Sequence, residues 1–187
     1  VFQLERHEPQ SIDLILVRIK NQTRFSLNIA GGGFDGFVVN LLNNQRKQLK
    51  IGGKMSYALA ILRSFFLFKK PLIQLKTETF EYNGKGLLIA ACNGSTFGHG
   101  LVIHPNAKLD SGDFGVTLIG DVSLYDYVRY LKRIKKGIEI DHPQVHYLKA
   151  KKMSISTSKT ELYVQCDGEL MSSGEPSFEI VSDAIRL

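Results

Sequence analysis

Beyond residue 70 the sequence is cut into short apolar runs by glycine, asparagine, aspartate and serine, and this punctuation constrains the fold more than any other feature. The runs are Leu72–Glu78, where apolar and polar residues alternate, the continuous Gly86–Cys92, and then Leu101–His104, Phe114–Ile119, Lys152–Thr157, Glu161–Cys166 and Ser177–Val181. Each has the length of a strand, and most follow one another too closely for a crossover helix to intervene. Strands joined in that way pair antiparallel, and the strand–helix rhythm of a parallel sheet is absent. Upstream, Ile12–Ile19 and Arg24–Ala30 flank the turn-like Asn21-Gln22, which predicts a first hairpin.

Three segments break the β pattern. Phe34, Phe37, Val38, Leu41 and Leu42 recur at helical spacing, the stripe of an amphipathic helix entered through Gly31-Gly32-Gly33. Lys54–Phe68 carries a broad apolar surface of Tyr57, Leu59, Ile61, Leu62, Phe65 and Phe66 and ends at Lys69-Lys70-Pro71. Ser123–Lys136 starts on a plausible N-cap, Ser123, and stops at Gly137. The expected fold class is mainly β with helices (α+β), an antiparallel β-sandwich or open barrel with about three helices.

The 187 residues suit one domain, 1–187, and the balance of 43% hydrophobic to 22% charged residues is that of a globular protein. No apolar stretch approaches the roughly 18 to 20 residues of a membrane-spanning helix. With two cysteines, Cys92 and Cys166, there is no material for a disulfide framework or a four-cysteine zinc site, and a reducing, cytoplasmic compartment is expected. His142 and His146 share one helical spacing, but Pro143 between them argues against a zinc site. No G-x-S-x-G nucleophile elbow occurs. The opening Val1-Phe2-Gln3-Leu4-Glu5-Arg6 has neither a signal-peptide pattern nor an initiator methionine, as expected of a fragment. The net charge of +6 favours anionic partners: phosphates, acidic lipid surfaces or nucleic acid.

Four motifs carry possible chemistry. Gly31-Gly32-Gly33 before a helix either presents backbone amides to a phosphate or lets strand and helix pack closely; the spacing fits neither the dinucleotide fingerprint nor a P-loop. In Cys166-Asp167-Gly168-Glu169, two carboxylates stand at the end of an apolar strand, an arrangement open to general-base chemistry and equally to a plain hairpin turn. Ala107-Lys108-Leu109-Asp110-Ser111-Gly112-Asp113 is rich in oxygen ligands, suited to Mg²⁺ or to a solvated turn. On the third helix Arg129, Lys132, Arg133 and Lys136 share one face, with Leu124, Val128, Leu131 and Ile134 largely across the cylinder. That face is either solvated or a contact for an anionic membrane. No aromatic-interleaved basic motif supports nucleic-acid binding.

Taken in order, Phe25-Ser26-Leu27-Asn28-Ile29-Ala30-Gly31-Gly32-Gly33-Phe34-Asp35, Ala91-Cys92-Asn93-Gly94, His104-Pro105-Asn106-Ala107-Lys108-Leu109-Asp110-Ser111-Gly112 and Asp167-Gly168-Glu169 resemble the C-terminal domain of the diacylglycerol kinase catalytic family, which includes bacterial lipid kinases and sphingosine kinases. The resemblance spans nearly the whole chain. It implies a lipid-substrate domain that works beside an N-terminal nucleotide-binding domain whose Gly-Gly-Asp-Gly-Thr motif is absent here. It implies transfer of the ATP γ-phosphoryl group to a hydroxyl of a diacylglycerol-like or sphingoid lipid, with Glu169 as proton acceptor and Asp167 beside it. It also implies a Mg²⁺ loop at Lys108, Ser111 and Asp113, the first and last through main-chain carbonyls; family members have aspartate where Ser111 stands. The segment Ser95-Thr96-Phe97-Gly98-His99-Gly100 departs from the family pattern as well.

The expectation is therefore the C-terminal part of an ATP-dependent lipid kinase, cytoplasmic and peripherally membrane-associated, inactive alone. Its expected partners are a lipid substrate, an anionic membrane surface reached through Arg129, Lys132, Arg133 and Lys136, and the missing N-terminal domain of the same parent, with no nucleic acid. The alternative is a non-catalytic domain that binds lipid or an acidic surface.

Overall fold

In the computed structural model, residues 10–49, 54–98, 100–158 and 162–186 are described; His99 and the expected strand start at Glu161 lie outside them, as do the side chains of Tyr57 and Leu59. The chain forms two separate antiparallel sheets packed face to face, with helices on the outer side of one of them. The first sheet contains β1 (Ser11–Ile19), β2 (Gln22–Ser26), β4 (Leu72–Thr77), β5 (Glu81–Lys85), β11 (Lys152–Thr157) and β14 (Ser177–Arg186), in the order β2-β1-β14-β11-β4-β5. The second contains β3 (Ile29–Gly33), β6 (Leu88–Cys92), β9 (Phe114–Ile119), β10 (Val145–Ala150), β12 (Val164–Cys166) and β13 (Glu169–Leu170), in the order β10-β9-β6-β3-β12-β13. A small ribbon, β7 (Thr96–Phe97) with β8 (Leu101–Val102), stands apart.

The two sheets have different sequence signatures because they are covered differently. β4 alternates exposed and buried residues, since the first sheet keeps one face in solvent. Every residue of β3, β6 and β12 is buried, because the second sheet meets the first sheet on one side and helices on the other. Ile15, Val17, Leu75, Ile89, Phe114, Val116, Met153 and Phe178 fill the space between the sheets. Each such side chain, when fully buried, contributes about 1.5–3 kcal/mol. Ile29, Leu88, Ala90 and Cys92 point to the outer side and pack with Leu101, Ile103, Ile134 and Ile140.

The helices are α1 (Phe34–Leu49), α2 (Lys54–Leu67) and α3 (Leu124–Lys135). α3 opens with a capping box: Ser123 accepts from the Asp126 amide while the Asp126 carboxylate accepts from the Ser123 amide. It closes on Lys136 followed by Gly137 at positive φ, as the sequence predicts. α1 and α2 meet each other through aromatic contacts, with Phe34 of α1 against Phe65 of α2 at 4.5 Å and against Phe68, just past α2, at 5.8 Å between ring centroids.

Two expectations change. The run Arg24–Ala30 is not a single strand: it is cut at Leu27-Asn28 into β2 in the first sheet and β3 in the second, so the chain crosses between sheets there. The glycines 31–33 are not a flexible entry to α1 but the last three residues of a buried strand, paired with β6 up to the start of the helix. A side chain at Gly31 would begin 2.4 Å from the Ile89 carbonyl oxygen, a backbone atom of the neighbouring strand. Close approach of β3 to its neighbour β6 is thus what Gly31 permits. Gly31→Ala should destabilise the chain by about 1–3 kcal/mol, read as a lower midpoint in urea unfolding; an unchanged midpoint would show that β6 yields freely.

Candidate functional site

β3 and β12 are neighbours, and their ends bring the Phe25–Asp35 and Asp167–Glu169 segments together at one edge of an apolar cleft. The cleft, about 390 Å³, lies between the outer side of the second sheet and the three helices. Its walls are Phe34, Val38, Leu42, Ile61, Phe65, Leu88, Ile103, Ile119 and Ile134, and its polar end is Asn28, Asp35, Gln165 and Asp167. An apolar cleft with convergent polar groups at one end suits an amphipathic small molecule.

Asp167 and Gly168 are the two central residues of the β12–β13 hairpin, both at positive φ (48° and 83°), so the turn reading of this motif is realised. The Asp167 carboxylate is nevertheless fully engaged. One oxygen accepts from Ser26 Oγ (2.7 Å) and from the amides of Asn28 and Ile29 (3.0 Å each), and the other from the Leu27 amide (2.8 Å). The same residue's amide donates to the Ile29 carbonyl at 3.1 Å. The cut between β2 and β3 is thus held by a carboxylate that satisfies three successive amides which no ladder could pair. Asp167 thereby positions the loop, three of its four accepted bonds falling on one oxygen.

Glu169 lies next to the cleft without lining it. Its carboxylate accepts from Arg24 Nη1 at 2.7 Å, and its side chain is 76% exposed. Gly168, one residue earlier, does line the cleft.

Asp35 is the carboxylate inside the cleft, and sequence reasoning did not single it out. It occupies the first turn of α1, is 6% exposed, and uses one oxygen, Oδ2, to accept from Gln165 Nε2 at 3.0 Å. Its Oδ1 is buried without a hydrogen-bond partner. Gln165 in turn accepts from the Gly168 amide at 2.8 Å, so one side chain joins Asp35 to the Asp-Gly turn. Burial pushes the Asp35 carboxyl up to about 6, although Gln165 and the main-chain amides of Gly36 and Asp35 itself pull it down. The only sequence signal was an aspartate following a glycine run at a helix start, which reads equally well as a helix-dipole residue.

The Lys108–Asp113 loop is latched to β1 by buried Asp13, whose carboxylate accepts from the amides of Gly112 (2.7 Å) and Asp183 (3.0 Å). Lys108, Ser111 and Asp113 do converge. Ser111 Oγ lies 3.2 Å from the Lys108 carbonyl, 3.0 Å from the Asp113 carbonyl and 2.9 Å from Asp113 Oδ1. Both Asp113 carboxylate oxygens are 3.3 Å from Lys149 Nζ. Mg²⁺ demands about six oxygens in octahedral array and favours carboxylates, whereas of this loop's two carboxylates Asp110 is exposed and only Asp113 joins the cluster, already matched by an ammonium group. The residues present do not fit a divalent ion well: a hydroxyl and a lysine occupy its place. Among the described residues no cluster of three or more metal-ligating side chains occurs.

On α3, Arg129, Lys132, Arg133 and Lys136 are all exposed. Arg133 donates to the Glu139 carbonyl at 3.1 Å, and Arg129 lies over the Tyr130 ring. Ile134 packs as expected, but Val128 does not: it is 60% exposed beside Tyr125 at 70%, because Tyr127 and Leu131 cover that stretch of the sheet instead. Cys92 and Cys166 are free and buried, and burial raises both thiols. No helix among the described residues is long and apolar enough to cross a membrane.

Two sheets with helices over one, and motifs that meet in order at the rim of the cleft, match the C-terminal domain of the diacylglycerol kinase-like lipid kinases. The chain belongs to the family described as "YegS C-terminal NAD kinase beta sandwich-like domain", whose model matches residues 28–187. It is 28% identical over 152 residues to the diacylglycerol kinase of Staphylococcus saprophyticus, covering 80% of this chain and 48% of that protein. It is 27% identical over 177 residues to "Probable lipid kinase YegS" of Shigella dysenteriae, covering 94% and 56%. A crystal structure of a diacylglycerol kinase from Bacillus anthracis shares the fold, with a TM-score of 0.59 at 16% identity over 96% of this chain and 53% of that one. The chain spans about half the length of the curated relatives it matches.

Two outcomes follow from this geometry. The chain should melt at the same temperature in Mg²⁺ and in EDTA, whereas Ser111→Asp should gain a Mg²⁺-dependent rise of a few degrees; a Mg²⁺-dependent melting temperature of the unaltered chain would make the loop a cation site. Asp35 binds a proton more tightly folded than unfolded, so its contribution to stability is present below about pH 4 and lost as the pH rises through about 6. The displacement from 3.8 to about 6 corresponds to at most about 3 kcal/mol. Asp35→Asn should accordingly be more stable than the parent at pH 7, with the margin closing toward pH 4; a margin independent of pH would mean that Asp35 titrates normally.

Proposed function

We propose that this chain is the lipid-substrate part of an ATP-dependent kinase that transfers the γ-phosphoryl group to a hydroxyl of a diacylglycerol-like or sphingoid lipid. The observation that carries the reading is the apolar cleft of about 390 Å³ with its polar end at the Asp167-Gly168 turn, in a chain of this family. Acyl chains would lie along the walls formed by α1, α2 and the second sheet, leaving the hydroxyl at the polar end. ATP and its Mg²⁺ would be held mainly by a nucleotide-binding domain of the full-length protein and supply the phosphoryl group and its charge neutralisation. In this reading Glu169 accepts the hydroxyl proton as the oxygen attacks phosphorus, and Arg24 keeps the carboxylate at the rim until substrate arrives. Asp167 fixes the turn that carries Glu169.

The protein would reach its substrate at a membrane surface. Arg129, Lys132, Arg133 and Lys136 offer cations for anionic headgroups, each contributing on the order of 1 kcal/mol. Exposed Tyr125 and Val128 on the same helix, and Phe66 on α2, offer apolar contact. One observation favours the alternative of a non-catalytic lipid- or acidic-surface-binding domain: Glu169 is solvent-exposed and ion-paired instead of standing inside the cleft.

The experiment that separates the readings is Glu169→Gln in the full-length protein. Phosphoryl transfer should fall by 10²-fold or more with the melting temperature unchanged, whereas Asp167→Asn should lower both activity and melting temperature because it disrupts amide bonds to a charged acceptor. Transfer by Glu169→Gln near the parent rate would leave Glu169 as a turn residue.

A further inference from the structure

The two long sides of the sandwich are finished differently. Where the edge strands β2 and β13 come together, side chains close the gap: Arg24 donates to Glu169 at 2.7 Å, and Gln22, through its side-chain oxygen, accepts from the Ser172 amide at 3.1 Å. The opposite side ends in β5 on the first sheet and β10 on the second, and among the described residues neither strand has a second neighbour in its sheet. Phe80 and Tyr82 pack against the His146 ring of β10 at 5.6 and 6.1 Å, which holds the inner face of β5 and leaves its outer edge open.

The ladder to β4 decides which groups that edge presents. The Thr77 amide donates to the Phe80 carbonyl at 2.9 Å and the Gly86 amide to the Pro71 carbonyl at 3.0 Å, with an unbroken register between them. Antiparallel ladders bond at alternate residues, so Tyr82 and Gly84 face β4 while Glu81, Asn83 and Lys85 turn their N–H and C=O groups outward. The Lys85 carbonyl also accepts from the Tyr82 hydroxyl at 2.9 Å and keeps a second lone pair. Edges of this kind are ordinarily protected by proline, by a bulge or by like charges that repel another copy. β5 has no proline and no bulge, and its two charges are opposite in sign and stand symmetrically about Asn83. Laid against itself in the antiparallel sense, the strand sets Glu81 on Lys85, Tyr82 on Gly84 and Asn83 on Asn83.

We propose that β5 is a self-association edge: two copies of this chain pair β5 with β5 antiparallel about Asn83 and join their first sheets across a two-fold axis. Glu81 of each copy then meets Lys85 of the other. Lys76 already stands 2.7 Å from Glu81 and Asp121 3.0 Å from Lys85, so each meeting completes a row of four charges alternating in sign. On the inner face Tyr82 comes opposite Gly84, which has no side chain to oppose it. No residue of β5 lines the cleft, so the pairing uses none of its walls. A contact built on one short strand is small, and the dimer is accordingly a weak one.

The test is sedimentation of the full-length protein over a range of concentrations. The parent should be monomeric at roughly 1 µM and gain a dimer share that grows toward roughly 500 µM. Asn83→Pro removes the central outward N–H, and because that group faces away from β4 the fold tolerates the change. This variant should stay monomeric throughout at the parent's melting temperature. Should its melting temperature fall, a charge pair takes its place: Glu81→Lys and Lys85→Glu should each be monomeric alone, whereas an equimolar mixture of the two should dimerise, since opposite charges again face each other at both positions. A parent that is monomeric at every concentration, a dimer that survives Asn83→Pro in a folded protein, or charge variants that fail to associate when mixed overturns the proposal.

Discussion

The Asp167 carboxylate is the interaction on which the site depends. Between Ser26 and Ile29 the chain leaves the first sheet and enters the second, and in that step the amides of residues 27–29 have no strand to pair with. A carboxylate delivered by the β12–β13 turn collects all three, together with the Ser26 hydroxyl. Because an ionised acceptor makes stronger bonds than a neutral one, the crossing is rigid where a water-filled gap would leave it loose. The hairpin presenting Glu169 and the crossing leading to Asp35 are therefore one unit, joined a second time by Gln165. A turn reading and a functional reading of Asp167-Gly168-Glu169 are not competitors: the turn geometry is what aims the carboxylate at the crossing.

Burial on both faces of the second sheet is the second constraint. Small residues recur at its centre, Gly31, Gly32, Ala90 and Ala91, because adjacent strands and two covering layers leave little volume. The helices then rest on larger outer residues at the margins, and the difference in height opens the cleft between Leu88 and Ile119 on the sheet and Phe34 and Phe65 on the helices. The volume of the cleft is thus a consequence of how the sheet is packed, and no loop has to be inserted to create it.

How much of this was legible in the sequence followed from what each residue's local pattern could encode. β9 and β11 were read with their bounds, and α3 with its Ser123 N-cap and Gly137 stop, because alternation, apolar continuity and caps are local signals. β10, Val145–Ala150, and β5, Glu81–Lys85, escaped because both are mostly half-buried or exposed, so neither carries a continuous apolar run or a clean alternation. The cut in Arg24–Ala30 was invisible, since the partner that permits it stands some 140 residues away. Asp35 escaped for the same reason: nothing adjacent to it in sequence shows that Gln165 and the cleft enclose it. The Lys108–Asp113 loop was located correctly, but Lys149, which matches the charge of Asp113, lies on a strand the sequence reading did not find.

The Lys108–Asp113 loop is held in place by contacts from outside it. Asp13 holds the Gly112 amide from β1 and also the Asp183 amide from β14, so the loop is fastened to the first sheet whatever sits inside it. Within that frame, two carbonyls and one carboxylate need a compact electropositive centre. A divalent ion is one solution, and a hydroxyl proton beside an ammonium group is another that needs no free metal and tolerates chelation. The second solution carries less charge, so it cannot draw in further carboxylates, and Asp110 remains outside in solvent. A carboxylate placed at position 111 would put a second anion beside Asp113 against the one ammonium of Lys149.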